Sequence, residues 1–227
     1  MRIRSLFIGR ASWPIALLVA YPTASVAMPQ LLFFPYEEQI GSSRVYAEAP
    51  LDPGAMRRVL KRADARLATS PLADRKVGTR VFLTNGGWRW QLLSLGSGAS
   101  LGLTRPMSDL LADAVIINRR AVSIDGGGPN GSIATRRRLS SVIAHERTHI
   151  LLRHRLGWLR ASTLPFWKSE GYADYVAGDS TLSADEAERL RAVGTKSPAL
   201  AYYDARIRVT AALAANGGDV QKLLNAQ

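Results

Sequence analysis

The chain has 227 residues, enough for one folded core, with 47% hydrophobic and 21% charged residues; this balance excludes an extensively disordered protein. The net charge of +12 raises nucleic-acid binding, but the longest basic run is only Arg136-Arg137-Arg138, with no aromatic-basic or zinc-knuckle signature beside it. There is no cysteine, so disulfides and thiolate metal ligands are excluded, leaving His, Asp and Glu as the strong metal ligands.

The N-terminus has the charge order of an export signal. Arg2, Arg4 and Arg10 lead, and no further charge appears until Glu37. Ala11 to Ala27 fits the apolar region of a signal peptide, and the small residues of "ASVA" suit cleavage after Ala27. The uncharged run continues to Tyr36, long enough for a transmembrane helix that stays as an anchor, although Pro14, Pro22, Pro29 and Pro35 interrupt it. Residues 1–36 are therefore expected to be a signal peptide or an N-terminal membrane anchor, and 37–227 the folded domain. The basic flank predicts a cytoplasmic N-terminus, with the domain outside the cytoplasm if anchored and periplasmic or secreted if cleaved.

From Pro53, Met56, Val59, Leu60 and Leu67 recur at near-helical spacing and predict a surface helix. Val81 and Leu83 alternate in a strand that ends at the Asn85-Gly86-Gly87 turn, and Trp88 and Trp90 follow as loop anchors or cleft residues. "ASLGLTRP" and "ADAVIINRR" read as two more strands, and the Gly-rich stretch 123–134 as a loop. After Thr135, Leu139, Val142, Ile143, Ile150 and Leu151 mark the buried face of a helix ending at Gly157. Further helices are expected from about Trp167 to Ala177, from near Ser183, and, mostly buried, from Pro198 to Ala215. Strands first and helices afterwards predict an α+β domain with a small, mainly antiparallel sheet followed by a helical core.

That first long helix carries "HERTH". Residues four apart share a helix face, so His145 and His149 can converge on one ion. Glu146 lies beside that face, suited to accept a proton from water that a zinc ion has acidified. Ser141, Ala144 and Thr148 are small enough to leave access to the ion. Arg147 projects nearly opposite His145, as a structural residue would. His154, nine residues on from His145, points elsewhere and is read as a surface or outer-layer histidine.

A third ligand is still needed. A metzincin would place a histidine where Arg155 stands and a glycine where Leu152 stands, which excludes that pattern. "FWKSEGYADYVAG" offers Glu170, with Asp174 on the same helix face to accept the outer N–H of a ligand histidine.

Together these residues resemble the gluzincin zinc metallopeptidases, which pair His-Glu-x-x-His on one helix with a ligating glutamate on the next. The resemblance covers Thr135 to about Gly178. It implies Zn²⁺ held by His145, His149 and Glu170, Glu146 as general base, Asp174 as the orienting carboxylate, and a peptide or protein substrate. It also implies an upstream edge strand that aligns the substrate, for which "ADAVIINRR" is the candidate, and an oxyanion-stabilising residue, for which Tyr203 is chosen ahead of Tyr202 and Arg206. Two other classes remain open. A catalytically inactive zinc-binding envelope scaffold would keep the ligands without turnover, and a basic nucleic-acid or membrane-surface protein would bind in a salt-dependent way and ignore chelators.

Overall fold

The computed structural model describes residues 12–73, 78–97, 100–105, 113–123 and 137–226, and the side chains from residue 20 onward. The basic flank Arg2 to Arg10 and the loop expected over 123–134, beyond Ser123, lie outside the described residues. A helix α1 (Ser12–Ala27), with Pro22 inside it, is followed by a short 3-10 turn (Pro29–Leu32). Among the described residues no helix is long and apolar enough to cross a membrane.

The domain is α+β, as expected, around a five-stranded sheet: β1 (Tyr36–Ile40), β2 (Ser43–Ala47), β3 (Arg80–Thr84), β4 (Gly102–Arg105) and β5 (Ala114–Asn118), in the order β1-β2-β3-β5-β4. The sheet is mixed rather than mainly antiparallel. β1–β2 and β4–β5 run antiparallel, while β2–β3 and β3–β5 run parallel. The first parallel pair arises because α2 (Pro53–Leu67) crosses over between β2 and β3. Asp52 starts that helix by accepting from the amides of Gly54 and Ala55, with Pro53 in the first turn.

The β1–β2 hairpin has no counterpart in the sequence reading. β1 is a mostly exposed edge strand, and "YEEQI" shows little apolar alternation; a tight turn with Gly41 at φ 60° joins it to β2. "WRWQLL" also forms a short helix, α3 (Trp88–Leu93), instead of a loop.

Both faces of the sheet are covered, which is why "VFL" and "AVII" are continuously apolar. On one face Val45, Val81, Leu83, Val115 and Ile117 pack against Met56, Val59 and Leu60 of α2 and Val142, Ile143 and Ile150 of α4 (Leu139–Leu156). On the other, Phe82, Ala114 and Ile116 meet Trp90 and Leu93 of α3, with Leu32 and Phe34 of the N-terminal segment. Each large side chain buried this way contributes about 1.5–3 kcal/mol.

The helical layer continues through α5 (Trp158–Ser162), α6 (Phe166–Ala177), α7 (Ala184–Ala192), α8 (Pro198–Ala215) and α9 (Val220–Asn225). α7 is opened by a Ser183/Glu186 capping box. α8 has the bounds expected, but only Ala205, Val209 and Leu213 are buried, so one face is inside rather than most of the helix. α6 and α8 approach closely at Gly171, where a Cβ would stand 2.4 Å from the carbonyl oxygen of Ala205. Only glycine permits that crossing.

Candidate metal centre

α4 is the central helix. Its start is fixed by Ser123, whose carbonyl accepts from the Leu139 amide, and by Asp179, which accepts from Ser141 Oγ and the Arg138 amide. Its end is set by Gly157, at φ 79°. Arg147 is buried and reaches away from the motif face, pairing with Asp64 of α2 at 2.7 Å and donating to Ser43 Oγ at 2.6 Å. It therefore locks the register of α4 against α2 and the β1–β2 hairpin, the structural role its position suggested.

On the opposite side His145, His149 and Glu170 come together as a group that could hold a metal ion. His145 Nε2 and His149 Nε2 are 3.2 Å apart; Glu170 Oε2 lies 3.2 Å from the first and 3.4 Å from the second. Three donor atoms thus form a nearly equilateral triangle from two helices.

Asp174, one turn after Glu170, places Oδ1 2.7 Å from His145 Nδ1. A protonated Nδ1 donating there leaves the Nε2 lone pair aimed into the triangle, the tautomer a metal needs. Arg137, with its side chain 7% exposed, places Nη2 2.8 Å from the same Asp174 oxygen. The middle of the basic run is therefore a buried ion pair, a role that run length gave no hint of.

The charges sharpen this arrangement. Burial alone would raise the Glu170 carboxyl, but the imidazoles of His145 and His149 outweigh it and hold it well below the usual range. Burial opposes the Asp174 carboxylate too, and His145 and Arg137 overcome it, so its pKa falls. For His145, burial works against the cation, yet Asp174, Glu170 and Glu146 push its pKa up to about 10 in the metal-free protein. A divalent cation in the triangle would supply the positive charge that this proton otherwise provides.

Glu146 is 6% exposed and points at β4. Thr104 Oγ1 lies 2.8 Å from Glu146 Oε2, and a Cβ on Gly102 would come within 3.0 Å of Glu146 Oε1. β4 thus both holds and makes room for this carboxylate. β4 is also the sheet edge next to α4. "ADAVIINRR" becomes β5, paired on both sides by β3 and β4, so it has no free edge to offer a peptide; among the described residues the edge strand is β4.

Tyr202, not Tyr203, faces the centre. Its ring lies 6.4 Å from that of His145 and edge-on to Phe166 at 5.1 Å. Burial, with Glu170, Glu146 and Asp174 nearby, pushes its hydroxyl up to about 12, so it stays a proton donor at neutral pH. Tyr203, one residue round the helix, packs under the Arg191 guanidinium. His154 is outside the triangle and bonds Asp113 at 2.8 Å. Ser141, Ala144 and Thr148 do not open an approach to the triangle. All three are fully buried, with Ser141 bonded to Asp179 and Thr148 to the Ala144 carbonyl. Trp90 is core, while Trp88 is exposed beside Arg89.

Thr104, Gly102 and Arg137 escape sequence reasoning because they are brought in from other elements by the fold. No protein family, curated protein or solved structure matches this chain.

Proposed function

We propose that the protein is a gluzincin-like zinc metallopeptidase, its zinc held by His145, His149 and Glu170. The triangle of donor atoms carries this reading. Zinc bonds nitrogen and carboxylate oxygen at about 2.0–2.2 Å, and in a tetrahedral site neighbouring ligand atoms then stand about 3.3–3.5 Å apart. The observed separations are 3.2, 3.2 and 3.4 Å. Two histidines and one glutamate also leave one tetrahedral position open, as catalytic zinc requires.

Bound there, zinc supplies Lewis acidity, polarising a peptide carbonyl and lowering the pKa of water. Glu146 takes the proton of the attacking water and delivers it to the leaving amine. Thr104 keeps that carboxylate aimed, and the Tyr202 hydroxyl donates to the oxygen on which charge develops. As the edge strand among the described residues, β4 offers backbone groups to an extended peptide or protein substrate. Asp174 holds His145 in its ligating tautomer, and Arg137 holds Asp174.

The same reading places the domain outside the cytoplasm, anchored through the N-terminal segment or released by its cleavage. It expects no nucleic-acid partner, and the burial of Arg137 supports this by removing the centre of the only basic triplet.

The test is zinc content by elemental analysis alongside hydrolysis of a peptide library by wild-type protein and Glu146→Gln. Near-stoichiometric zinc in both, with cleavage only in the wild type, is the expected result. Zinc with no cleavage by either would leave an inactive zinc-binding scaffold, and absence of zinc would end the metallopeptidase reading.

A further inference from the structure

One face of the molecule, away from the metal ligands in sequence and contacts, displays aromatic side chains around a pinned arginine. Arg89 of α3 donates from Nε to the Leu32 carbonyl and from Nη2 to the Phe33 carbonyl, both at 3.0 Å, and its Nη1 lies 3.4 Å from Glu48. Between those carbonyls Phe33 has φ 47° and ψ 102°, a conformation that costs a phenylalanine free energy and persists only when its surroundings impose it. The result is an alternation in which Leu32 and Phe34 are 2% and 7% exposed and Phe33 is 73% exposed. The backbone is strained in the direction that puts a phenyl ring in solvent.

Trp88 lies against Arg89, 4.6 Å from ring centroid to guanidinium, and is 59% exposed. Tyr21 of α1 donates its hydroxyl to the Leu31 carbonyl at 2.7 Å, and both residues are exposed. Phe, Trp, Tyr and Leu are thus gathered with an arginine on one surface. The exposed aromatic rings suit a membrane interface, where such rings sit at headgroup level.

We propose that this face seats the folded domain on a lipid bilayer, with Phe33 and Trp88 inserted at the boundary between headgroups and acyl chains. A bilayer is the occupant favoured because the face is continuous with α1. No charged residue lies between Arg10 and Glu37, and Arg2, Arg4 and Arg10 complement anionic lipid at the other end of this run. The N-terminal segment then holds the protein at the membrane, and the Arg89 clamp fixes which side of the domain faces it. None of the metal ligands takes part, so this inference stands or falls separately from the proposed activity, and it rests on the reading in which the N-terminal segment is retained.

The absence of cysteine makes single labelling sites simple. Phe33→Cys, Trp88→Cys and, as a control on exposed Val193 just after α7, Val193→Cys would each carry a nitroxide on the full chain in phosphatidylcholine–phosphatidylglycerol vesicles. At positions 33 and 88 collision with oxygen should exceed collision with an aqueous nickel chelate, and at 193 the order should reverse. Brominated phosphatidylcholine gives a second reading on unlabelled protein, where Trp88→Phe should remove part of the tryptophan quenching. Vesicle-bound protein with all three labels exposed to nickel and quenching unchanged by Trp88→Phe would overturn the proposal. So would spin–spin broadening at 33 or 88 in detergent without lipid, because the face would then belong to a second copy.

Discussion

Thr104 Oγ1 lies 2.8 Å from a carboxylate oxygen of Glu146 and 2.8 Å from the same residue's carbonyl oxygen, joining the sheet edge to the motif helix beside the metal triangle. Thr104→Val removes a hydrogen bond to a charged group, worth about 1.5–3 kcal/mol. A fall in kcat/KM of roughly ten- to a hundred-fold is expected, with zinc content unchanged. Steady-state kinetics beside elemental analysis check this, and unaltered kcat/KM would remove Thr104 from the machinery.

Loss of a triangle member should release the metal. Glu170→Ala and His149→Ala are expected to fall well below stoichiometric zinc, and a chelator should lower the wild-type Tm but leave theirs unmoved. Ligand binding at a hundred-fold excess over Kd adds about 2.7 kcal/mol of stability, which a thermal scan resolves. A chelator-insensitive wild type would contradict the site.

The Arg137–Asp174 pair predicts a particular non-additivity. Asp174→Asn should weaken zinc affinity about ten- to a hundred-fold by loosening the hold on His145. It also leaves Arg137 buried without its carboxylate, a defect of about 3–5 kcal/mol. Arg137→Met in the same chain should restore much of the stability but not the zinc affinity. Denaturant titration and competitive zinc binding on both variants separate the two effects; affinity recovering together with stability would refute the separate role of Asp174.

Gly171→Ala should act at a distance. The added methyl meets the carbonyl of Ala205 at 2.4 Å and Val209 Cγ2 at 2.9 Å, so α8 has to move away from α6. Overpacking of this kind costs about 1–3 kcal/mol. Because α8 carries Tyr202, kcat should fall while zinc stays bound, and Tyr202→Phe should reproduce the kinetic loss without the loss of Tm. Tyr203→Phe should do neither.

Zinc uptake should be linked to protons. In the metal-free protein the His145 pKa is raised from 6.5 to about 10, so its contribution to stability is fully present below pH 6.5 and is lost as pH rises through 10. Zinc binds the neutral imidazole, so loading near pH 7 should release about one proton and tighten with rising pH. Calorimetric zinc titrations in buffers of different ionisation enthalpy measure that release. Heats independent of buffer would show that His145 carries no proton to lose.

The motif helix, its glutamate partner and most helix bounds were legible because their signals are local. Four-residue spacing puts His145 over His149 and Glu170 over Asp174 whatever surrounds them, and Gly157 or the Ser183/Glu186 pair acts within one turn. The β1–β2 hairpin was not legible because an exposed edge strand buries too little to enforce apolar alternation. Trp90 gave an ambiguous signal, since a loop anchor and a core helix residue look alike until the sheet beneath is known.

By itself, then, the sequence determined the candidate ligand residues, their pairing along each helix and the α+β class. Tertiary structure alone decided that, among the described residues, β4 rather than β5 forms the edge, that Tyr202 rather than Tyr203 faces the triangle, and that Arg137 lies buried against Asp174. The reason is range. Helical periodicity fixes neighbours within one turn, whereas strand order and helix rotation are set by which apolar faces can be buried together, a property of the whole packed chain.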